Sequence, residues 1–509
     1  MPSVSDLIFL GLLGALVFTP LSVKLLGDAG IGWHIRDGQQ ILATHAVSRF
    51  DPFSFRYWQP WFAWEWLYDI VVGKLETWCG LNGVVWLTAV VIATVFAGTF
   101  RLAVARGTNL LLALVLTLLA MSASMIHFLA RPHVLSWLFA LAWFWILDST
   151  EQSGIHGQRA KWLWPLPLSM LLWVNVHGGF LLGFVLLGIY WLGSVWTWMT
   201  TRETRLEESL QKIASGHRVR QLTGVGLLSI AASFINPYGW RLHAHICSYL
   251  SNRFLMDHIE EFQAPNFHGI AQRCFLALLL IAIATLAVRG RSLRLSEILI
   301  VLFAVYAGLL ASRNIPVSSI LLVLIVGPLL PRLESWGFVQ RMSTVDSQLH
   351  GRLWPIFATV AVLLIAANGG RSGSTLSMNA HFDAARMPVA AVDFLEHSGV
   401  KVPVLSPDYW GGYLIYRLYP PNKVVIDDRH DFYGEEFLRS YLAMMHVEPG
   451  WDEFFKQHQV GYLLLPRRAA LAAVISETPG WKPLYSDDVA VVFTRTGLNR
   501  EDADRAPGR

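Results

Sequence analysis

Apolar segments long enough to cross a membrane recur along most of this sequence. A membrane-spanning helix needs about 20 mostly apolar residues, and residues 7–26 form the first such segment. Further segments follow at about 82–104, 109–127, 132–148, 162–176, 178–199, 221–236, 274–289, 295–311, 315–331 and 353–368. Only 15% of the residues are charged, against roughly 25% in soluble proteins. The sequence therefore predicts a polytopic α-helical membrane protein with about 11 transmembrane helices.

The orientation of these helices follows from the basic residues in the short loops. The first segment has no basic lead-in and no small-residue cleavage site, which favours a retained anchor over a cleaved signal peptide. Basic residues concentrate in alternate loops, for example Arg202, Arg205, Lys212, Arg218 and Arg220. The positive-inside rule then predicts a cytoplasmic N-terminus and, with an odd number of spans, an extracytoplasmic C-terminus.

The rest of the chain divides at changes in composition. We predict a transmembrane domain at 1–368, which includes a first extracytoplasmic loop at 28–80 with an interfacial amphipathic helix at 65–78. Residues 369–375 are rich in Gly and Ser and predict a flexible linker. Strand patterns at 402–405, 423–426, 461–465 and 489–493 alternate with helical patterns at 435–445, 451–458 and 468–478. This alternation predicts an extracytoplasmic α/β domain at 376–498, followed by a disordered tail at 499–509.

Three polar residues in the first loop are candidates for a functional site. Asp28 follows the first apolar segment directly, and His34 and Asp51 come after it. Carboxylates near the hydrocarbon layer are costly, so they tend to mark function. The structural alternative is that Asp28 caps the following helix and that Asp51 caps the turn at Pro52.

Further polar residues collect at the predicted outer ends of four helices. They are Arg131, His133, Asn175, His177, Asn236 and Arg313. Arginine binds phosphate well through its planar fork of donors, which makes a phosphate site one interpretation. The alternatives are that the arginines extend to the membrane interface, that Asn175 and His177 bond freed backbone carbonyls where two helices meet, and that Asn236 begins an Asn-Pro-Tyr-Gly turn.

Taken in order, these motifs resemble the GT-C-fold membrane glycosyltransferases. The shared patterns are Asp28-x-x-x-x-Trp-His, Arg131-Pro, Trp-x-Asn175-x-His-Gly and Asn236-Pro-Tyr-Gly, as they recur in bacterial members of this superfamily. The superfamily also includes oligosaccharyltransferase catalytic subunits, protein mannosyltransferases and the aminoarabinose transferase of lipid A. Its enzymes use polyprenyl-phosphate-linked sugars.

A second resemblance lies in the C-terminal part. The segment Asp408-Tyr409-Trp410-Gly-Gly, followed by Asp427-Asp-Arg429, is similar to the Trp-Trp-Asp-Tyr-Gly segment of oligosaccharyltransferases, but it lacks the Trp pair before the Asp. The resemblance implies that this domain faces the acceptor. The alternative is a strand followed by a Gly-rich turn within the α/β core.

The resemblance implies a specific activity. The protein would move a sugar from a polyprenyl-phosphate donor to a glycan, lipid or protein acceptor on the outer face of the bacterial cytoplasmic membrane, with inversion at the anomeric carbon. Asp28 would be the general base, and Arg313 and Arg131, with His133 or His177, would bind the phosphate. Three alternatives remain. Two belong to other functional classes, namely a transporter or flippase for a lipid-linked intermediate and a non-catalytic scaffold of envelope assembly. The third is a glycan ligase or polymerase of another fold.

Other partners receive less support from the sequence. The net charge of +4 needs no nucleic acid to explain it. No cofactor is predicted, and Asp28, Asp37 and Asp51 are too widely spaced to indicate a divalent-metal site unless the loop folds back on itself. Cys79, Cys247 and Cys274 show no metal-ligand spacing, and one disulfide between two of them is the alternative to three free thiols.

Overall fold

The computed structural model describes residues 1–56, 58–152, 160–290, 293–330, 337–349 and 353–496. The chain forms two compact units. Unit 1 contains residues 1–19, 86–128 and 132–364, and unit 2 contains residues 20–85, 129–131 and 365–509. The predicted tail at 499–509 lies outside the described residues.

The helices of the described residues are, in chain order, α1 (Val4–Phe18), α2 (Leu21–Leu25), α3 (Ile31–Thr44), α4 (Trp66–Cys79), α5 (Leu81–Ala105), α6 (Leu110–Ser124), α7 (His133–Gln152), α8 (Pro165–Trp173), α9 (Leu181–Thr200), α10 (Leu206–Ser233), α11 (Trp240–Ser251), α12 (Arg253–His258), α13 (Ile270–Arg289), α14 (Leu295–Leu310), α15 (Ile315–Val326), α16 (Gly337–Gln348), α17 (Trp354–Ala367), α18 (Val389–His397), α19 (Asp408–Leu418), α20 (His430–Tyr433), α21 (Glu435–Met445), α22 (Glu453–Gln457) and α23 (Ala470–Glu477). The strands are β1 (Arg371–Ser372), β2 (Thr375–Leu376), β3 (Val404–Leu405), β4 (Tyr462–Pro466), β5 (Trp481–Ser486) and β6 (Ala490–Arg495).

Unit 1 is a helical bundle with strongly apolar segments. Five helical segments of the described chain are long and apolar enough to cross a membrane, namely Leu81–Ala105, Leu110–His127, Gly178–Thr200, Ile270–Arg289 and Ser312–Leu329. Three shorter helices, α1, α14 and α17, are also apolar. The protein is therefore a helical membrane protein, and every predicted span contains a helix or part of one.

Buried ion pairs connect three of the bundle helices. Arg106, just after α5, pairs with Asp148 of α7, and its Nη2 lies 2.6 Å from Glu297 of α14. Arg294 lies 2.9 Å from the same Glu297 and 3.0 Å from Glu151 of α7. Charges buried away from water must be paired to be tolerated. These ion pairs therefore keep the end of α5, the later part of α7 and the start of α14 close together.

Unit 2 contains a small mixed sheet. The strand order is β3-β4-β6-β5, with β3 parallel to β4 and the other neighbours antiparallel. Leu464 of β4 lies opposite Val492 of β6, and both are fully buried because the apolar central strands are covered on both faces. Strand β5 has the sequence Trp-Lys-Pro-Leu-Tyr-Ser, in which apolar and polar residues do not alternate regularly, and it was not predicted. Residues 369–375, predicted as a linker, include β1 and part of the β1–β2 hairpin.

The first loop belongs to unit 2 together with the C-terminal part, whereas the predicted division placed it with the transmembrane domain. Its backbone pairs with the C-terminal part directly. Ser54 forms a parallel bridge with Val424, and Val424 forms another with Val404 of β3. The predicted strand at 423–426 is present only as these single bridges. Phe53, fully buried, anchors the loop at this place.

Three other local predictions differ from the structure. The first apolar segment breaks after Phe18, because Pro20 disfavours a helical conformation at the residue before it. The predicted loop contains helix α3, whose buried Ile31, Ile35 and Ile41 follow a helical period. Asp408–Leu418 is a helix instead of a strand and turn.

Glycine explains this last difference. A Cβ atom at Gly412 would lie 2.3 Å from the carbonyl oxygen of Ala29, so the glycine permits α19 to pack closely against the start of α3. Gly412 therefore serves close packing of α19 against the backbone at Ala29, and it does not form the turn that the sequence suggested.

Candidate functional site

Three charged side chains from distant parts of the sequence meet in unit 2. Nη1 of Arg131 donates to Oδ1 of Asp28 at 3.2 Å and to Oδ2 of Asp428 at 2.6 Å. The backbone N–H of Gly30 also donates to Oδ1 of Asp28, at 2.8 Å. The side chains of Arg131, Asp28 and Asp428 are 23%, 33% and 17% exposed. We call this group the Arg131 cluster.

Gly30 and Trp33 shape the Arg131 cluster. A Cβ atom at Gly30 would lie 1.6 Å from Nη1 of Arg131 and 2.3 Å from Oδ2 of Asp428, so only glycine lets the guanidinium approach the backbone here. Nε1 of Trp33 donates to Oδ1 of Asp428 at 3.0 Å. Both oxygens of Asp428 are therefore held in place.

The electrostatics of the Arg131 cluster leave reactive groups available. Burial lowers the pKa of Arg131, but the carboxylates of Asp28 and Asp428 outweigh this effect and raise it well above its usual value. Two carboxylates around one cation give a local charge of minus one. Among the described residues, Oδ2 of Asp28 and the Nε and Nη2 atoms of Arg131 make no hydrogen bond. Asp28 can thus accept a proton, and Arg131 retains N–H donors for a further hydrogen-bond acceptor.

A second arginine in unit 2 is fully enclosed. Arg429 lies 2.7 Å from Asp51 and 2.6 Å from Asp427, and the hydroxyl of Tyr433 donates to Asp427 at 2.8 Å. Four aromatic rings surround its guanidinium, those of Trp33, Phe53, Trp61 and Phe432, at 4.7 to 5.8 Å.

Asp51 also serves the turn that follows it. It accepts from the backbone N–H groups of Phe53 and Ser54, as in the capping alternative. A buried arginine between two acids fixes the first loop to the C-terminal part of unit 2.

The first loop itself contains buried acids. Nδ1 of His34 is 2.5 Å from Oδ1 of Asp69, and both side chains are fully buried. Asp37, also fully buried, accepts a hydrogen bond from Ser48 at 3.1 Å. Burial raises the pKa of Asp37 to about 6, and burial with the nearby Asp37 raises the pKa of Asp69 well above its usual value. His34 therefore belongs to a buried polar network in which burial favours the protonated form of the carboxyl groups.

A histidine and an aspartate form a pair at the start of α19. Nε2 of His430 lies 2.8 Å from Oδ2 of Asp408, and the hydroxyl of Tyr441 donates to Oδ1 of Asp408 at 3.2 Å. Burial lowers the pKa of His430, but the hydrogen bond and charge of Asp408 raise it overall. Beside this pair Tyr409 is exposed, whereas Trp410 is buried and donates to the carbonyl of Arg386.

Two predicted residues lie close to one turn of unit 1. Arg313 lies 3.1 Å from Glu261, and its guanidinium is 4.5 Å from the ring centroid of Phe262. His133 hydrogen bonds through Nε2 to the carbonyl oxygen of His127 at 2.9 Å. His127 in turn bonds the carbonyl oxygen of Ser312, the neighbour of Arg313.

The other predicted residues of unit 1 bind backbone groups. Nδ2 of Asn175 donates to the carbonyls of Leu171 and Ile235 at 2.8 and 2.9 Å. Asn236 accepts from the N–H of Tyr238 at 2.9 Å within the predicted turn.

His177 has a comparable role. Its Nδ1 accepts from the N–H of Gly179 at 3.0 Å and lies 2.8 Å from the Ser136 hydroxyl. The contacts of Asn175 and Asn236 are the ones that the structural alternatives describe, whereas these His177 contacts are to a backbone N–H and a hydroxyl instead of a carbonyl.

Several polar residues of these groups were not predicted as site residues, among them Asp69, Glu261, Asp428, His430 and Tyr433. Asp428 and His430 adjoin the predicted Asp427 and Arg429, and their position in that charged run was the signal that could have found them. For Asp69, the signal was its place on the face of α4 that the amphipathic pattern turns inward. Glu261 carries no local signal.

The three cysteines are free thiols. Within the described parts of the chain, no three His, Cys, Asp or Glu side chains are grouped so that they could hold a metal ion.

The fold is similar to that of solved oligosaccharyltransferase and ArnT structures, in agreement with the GT-C resemblance in the sequence. The particular likeness is to the crystal structure of the Archaeoglobus fulgidus oligosaccharyltransferase tethered with an acceptor peptide, with a TM-score of 0.58 and 10% identity over 97% of this chain and 74% of that one. The Archaeoglobus fulgidus AglB in complex with an inhibitory peptide and a dolichol-phosphate gives a TM-score of 0.57, 9% identity and the same coverage.

A bacterial structure is also similar. ArnT from Cupriavidus metallidurans in the apo state gives a TM-score of 0.50 and 14% identity over 96% of this chain and 97% of that one. No protein-family model and no curated protein sequence matches the chain. At such identities the likeness concerns the fold.

Proposed function

We propose that the protein transfers a sugar from a polyprenyl-phosphate-linked donor to an acceptor hydroxyl on the outer face of the cytoplasmic membrane. The observation that carries this proposal is the Arg131 cluster, where a partly exposed carboxylate lies beside a guanidinium with unused donors. The fold supports it, since the similar AglB structure contains a dolichol-phosphate and an inhibitory peptide.

The proposed reaction is an in-line displacement at the anomeric carbon. The acceptor oxygen forms a bond to the anomeric carbon while the bond between that carbon and the phosphate oxygen breaks. The configuration at the anomeric carbon therefore inverts. The phosphate keeps the bonding electrons, and Asp28 takes the acceptor proton through its Oδ2. A positioned general base contributes typically 10²–10⁴-fold. The phosphate is already a good leaving group, so stabilising its charge is the remaining task.

Arg131 can stabilise the charge of the leaving phosphate. Nε and Nη2 of Arg131 can donate to phosphate oxygens while Nη1 stays bound to Asp28 and Asp428. Base and phosphate-binding group are thereby adjacent in one cluster. Arg313 is the corresponding candidate in unit 1, with His133 close to its turn.

The orientation of the chain in the membrane determines the side on which the acceptor binds. We propose a cytoplasmic N-terminus, with the first loop and the C-terminal part in the extracytoplasmic compartment. The acceptor side would then include Tyr409, whose exposed ring adjoins the His430–Asp408 pair. A glycan, lipid or protein acceptor fits this arrangement.

Transfer can be tested on the full-length protein in lipid nanodiscs. Undecaprenyl-phosphate-linked glucose, mannose, galactose and aminoarabinose are supplied in turn with an envelope extract, and mass spectrometry follows release of undecaprenyl phosphate and the glycosylated product. We expect one donor to be consumed by the wild type and Asp28→Asn to reduce the rate at least 100-fold.

Asp488→Asn is the matched control. Asp488 is fully exposed and lies in a hairpin of the sheet, so this variant should keep the wild-type rate. A normal rate for Asp28→Asn would refute the assignment of the base. Movement of intact donor across a bilayer without release of undecaprenyl phosphate would show a transporter instead.

A further inference from the structure

A pocket of about 460 Å³ opens at the surface of unit 2, where two apolar helices end. Its wall is formed by the end of α4, the first residues of α5, the last residues of α17 and the segment around Ala380. The lining residues include Trp78, Cys79, Leu81, Asn82, Ala366 and Ala367. The volume falls within the roughly 300–1,000 Å³ that pockets for small molecules occupy.

The ends of α5 and α17 place this pocket at the boundary of the membrane. Helix α5 is one of the segments long and apolar enough to cross a membrane, and α17 is one of the shorter apolar helices. Nε1 of Trp86 in α5 donates to the carbonyl of Thr359 in α17 at 2.9 Å, so the two helices lie next to each other. Because a membrane-crossing helix ends where the hydrocarbon layer meets water, a pocket at these ends faces the lipid headgroups.

A cation and an indole ring stand at the rim of the pocket. Nζ of Lys74 lies 4.6 Å from the centroid of the Trp78 ring, within the range of a cation–π contact. Trp78 is 65% exposed, and tryptophan favours the headgroup level of a bilayer. Lys74 is exposed as well and forms no ion pair with any residue that the structure describes. An ammonium group without an acid partner at this level attracts anionic lipid.

The interior of the pocket combines apolar walls with one oriented amide. Leu81, Ala366 and Ala367 provide the apolar surface. Oδ1 of Asn82 accepts from the N–H of Ala380 at 2.9 Å, whereas its Nδ2 makes no hydrogen bond within the described part of the chain. The Asn82 amide is thereby held in one orientation, and its two N–H donors are available for a phosphate or glycerol oxygen.

We propose that this pocket binds the headgroup and first acyl carbons of an anionic phospholipid from the surrounding bilayer. The lipid phosphate pairs with Lys74 beside Trp78, Asn82 donates to a headgroup oxygen, and the acyl carbons contact the apolar wall. A bound lipid links α4 to the end of α17 and so stabilises unit 2 against unfolding. The inference is independent of the proposed function, because no residue of the pocket takes part in sugar transfer.

The experiment measures binding of phosphatidylglycerol to the full-length, detergent-solubilised protein by native mass spectrometry, with zwitterionic phosphatidylcholine for comparison. In the wild type we expect phosphatidylglycerol to bind about fivefold more tightly than phosphatidylcholine and to raise the Tm, since one lysine gives a modest attraction. Lys74→Gln should abolish this preference. Lys482→Gln is the matched control, because Lys482 is exposed on β5, which does not line the pocket, and this variant should keep the preference.

Two further variants locate the bound lipid. Ala367→Phe fills the pocket without a change of charge and should weaken phosphatidylglycerol binding about tenfold, since the new ring takes the place of acyl carbons. In Cys247→Ser/Cys274→Ser the one remaining thiol is Cys79, which lines the pocket. Phosphatidylglycerol should slow alkylation of Cys79 by N-ethylmaleimide, and adding Lys74→Gln should remove this protection.

Other results would overturn the inference. They are equal affinity of the wild type for the two phospholipids, a preference that Lys74→Gln leaves intact, an equal loss in Lys482→Gln, or alkylation of Cys79 that phosphatidylglycerol does not slow. Undecaprenyl phosphate that binds more tightly than phosphatidylglycerol, with the same dependence on Lys74, would also overturn it. Lys74 is exposed, so Lys74→Gln should fold as the wild type does and decides the outcome if Ala367→Phe folds poorly.

Discussion

Asp28 and Asp428 accept hydrogen bonds from the same atom, Nη1 of Arg131, at 3.2 and 2.6 Å. One of these acids opens the first loop and the other lies in the C-terminal part of unit 2. Two carboxylates that share one donor repel each other, so the arrangement depends on the guanidinium between them. A small displacement of Arg131 would therefore disturb both acids at once.

Replacing Gly30 tests this dependence. In Gly30→Ala the new methyl group overlaps Nη1 of Arg131 and Oδ2 of Asp428, which are the ends of side chains that can move. We expect the protein to fold and sugar transfer to fall at least tenfold, as measured by undecaprenyl phosphate release. Gly11→Ala is the control, because the space around Gly11 is open. Equal rates for the two variants would contradict the role of the Arg131 cluster.

Removing the enclosed arginine should destabilise unit 2. Arg429→Met leaves Asp51 and Asp427 buried without their partner, which costs about 3–5 kcal/mol by analogy with other broken buried pairs. Thermal unfolding of the detergent-solubilised protein measures the loss. Arg439→Met removes an exposed pair with Glu435 and should have no measurable effect. If both variants have the same unfolding temperature, the buried pairs of Arg429 with Asp51 and Asp427 have no special role in stability.

The buried Asp37 predicts a pH dependence of stability. Burial raises its pKa from 3.8 to about 6, so the folded state holds a proton that the unfolded state releases between these values. Stability should therefore fall as the pH rises from about 4 to about 6 and then level off. A shift of about two units corresponds to about 3 kcal/mol.

In Asp37→Asn the contribution of Asp37 to the pH dependence of the unfolding free energy should disappear. At pH 7.5 the variant should have a higher unfolding free energy than the wild type. Unfolding by denaturant at pH 4.5, 6 and 7.5 provides the measurement. An unchanged slope in the variant would assign the pH dependence to other groups.

The His430–Asp408 pair predicts the opposite dependence. The hydrogen bond and charge of Asp408 raise the pKa of His430 despite its burial. A histidine with a raised pKa contributes stability that is fully present below its unfolded value and is lost as the pH rises through its folded value. Asp408→Asn should lower this pKa.

Carbethoxylation of His430 by diethyl pyrocarbonate, followed by mass spectrometry across pH 5–9, reports the fraction of neutral imidazole. We expect the midpoint to move to lower pH in Asp408→Asn. Tyr441→Phe keeps the carboxylate and should move the midpoint less, since the Tyr441 hydroxyl bonds to Asp408 and acts on His430 through that carboxylate. A midpoint that Asp408→Asn leaves in place would show that the pair does not control His430.

Local sequence patterns decided most of the helices. The apolar segment predicted at 82–104 is helix α5 (Leu81–Ala105), and the pattern at 435–445 is helix α21 (Glu435–Met445). Continuous hydrophobicity and helical periodicity act over neighbouring residues, so such elements can be inferred from the chain alone. The motif at Asp28 and Arg131 likewise pointed to a shared site before any contact was known.

Tertiary structure alone decided which charges meet. Nothing near Arg131 in the sequence indicates Asp428, and nothing near Arg313 indicates Glu261, because ion pairs carry no spacing rule across distant segments. The same holds for α19, where glycine could mean a turn or a close helix contact until the backbone of Ala29 is placed beside it. The position of an apolar helix is determined by residues that are neighbours along the chain. A candidate site depends on side chains that the fold brings together from distant parts of the chain.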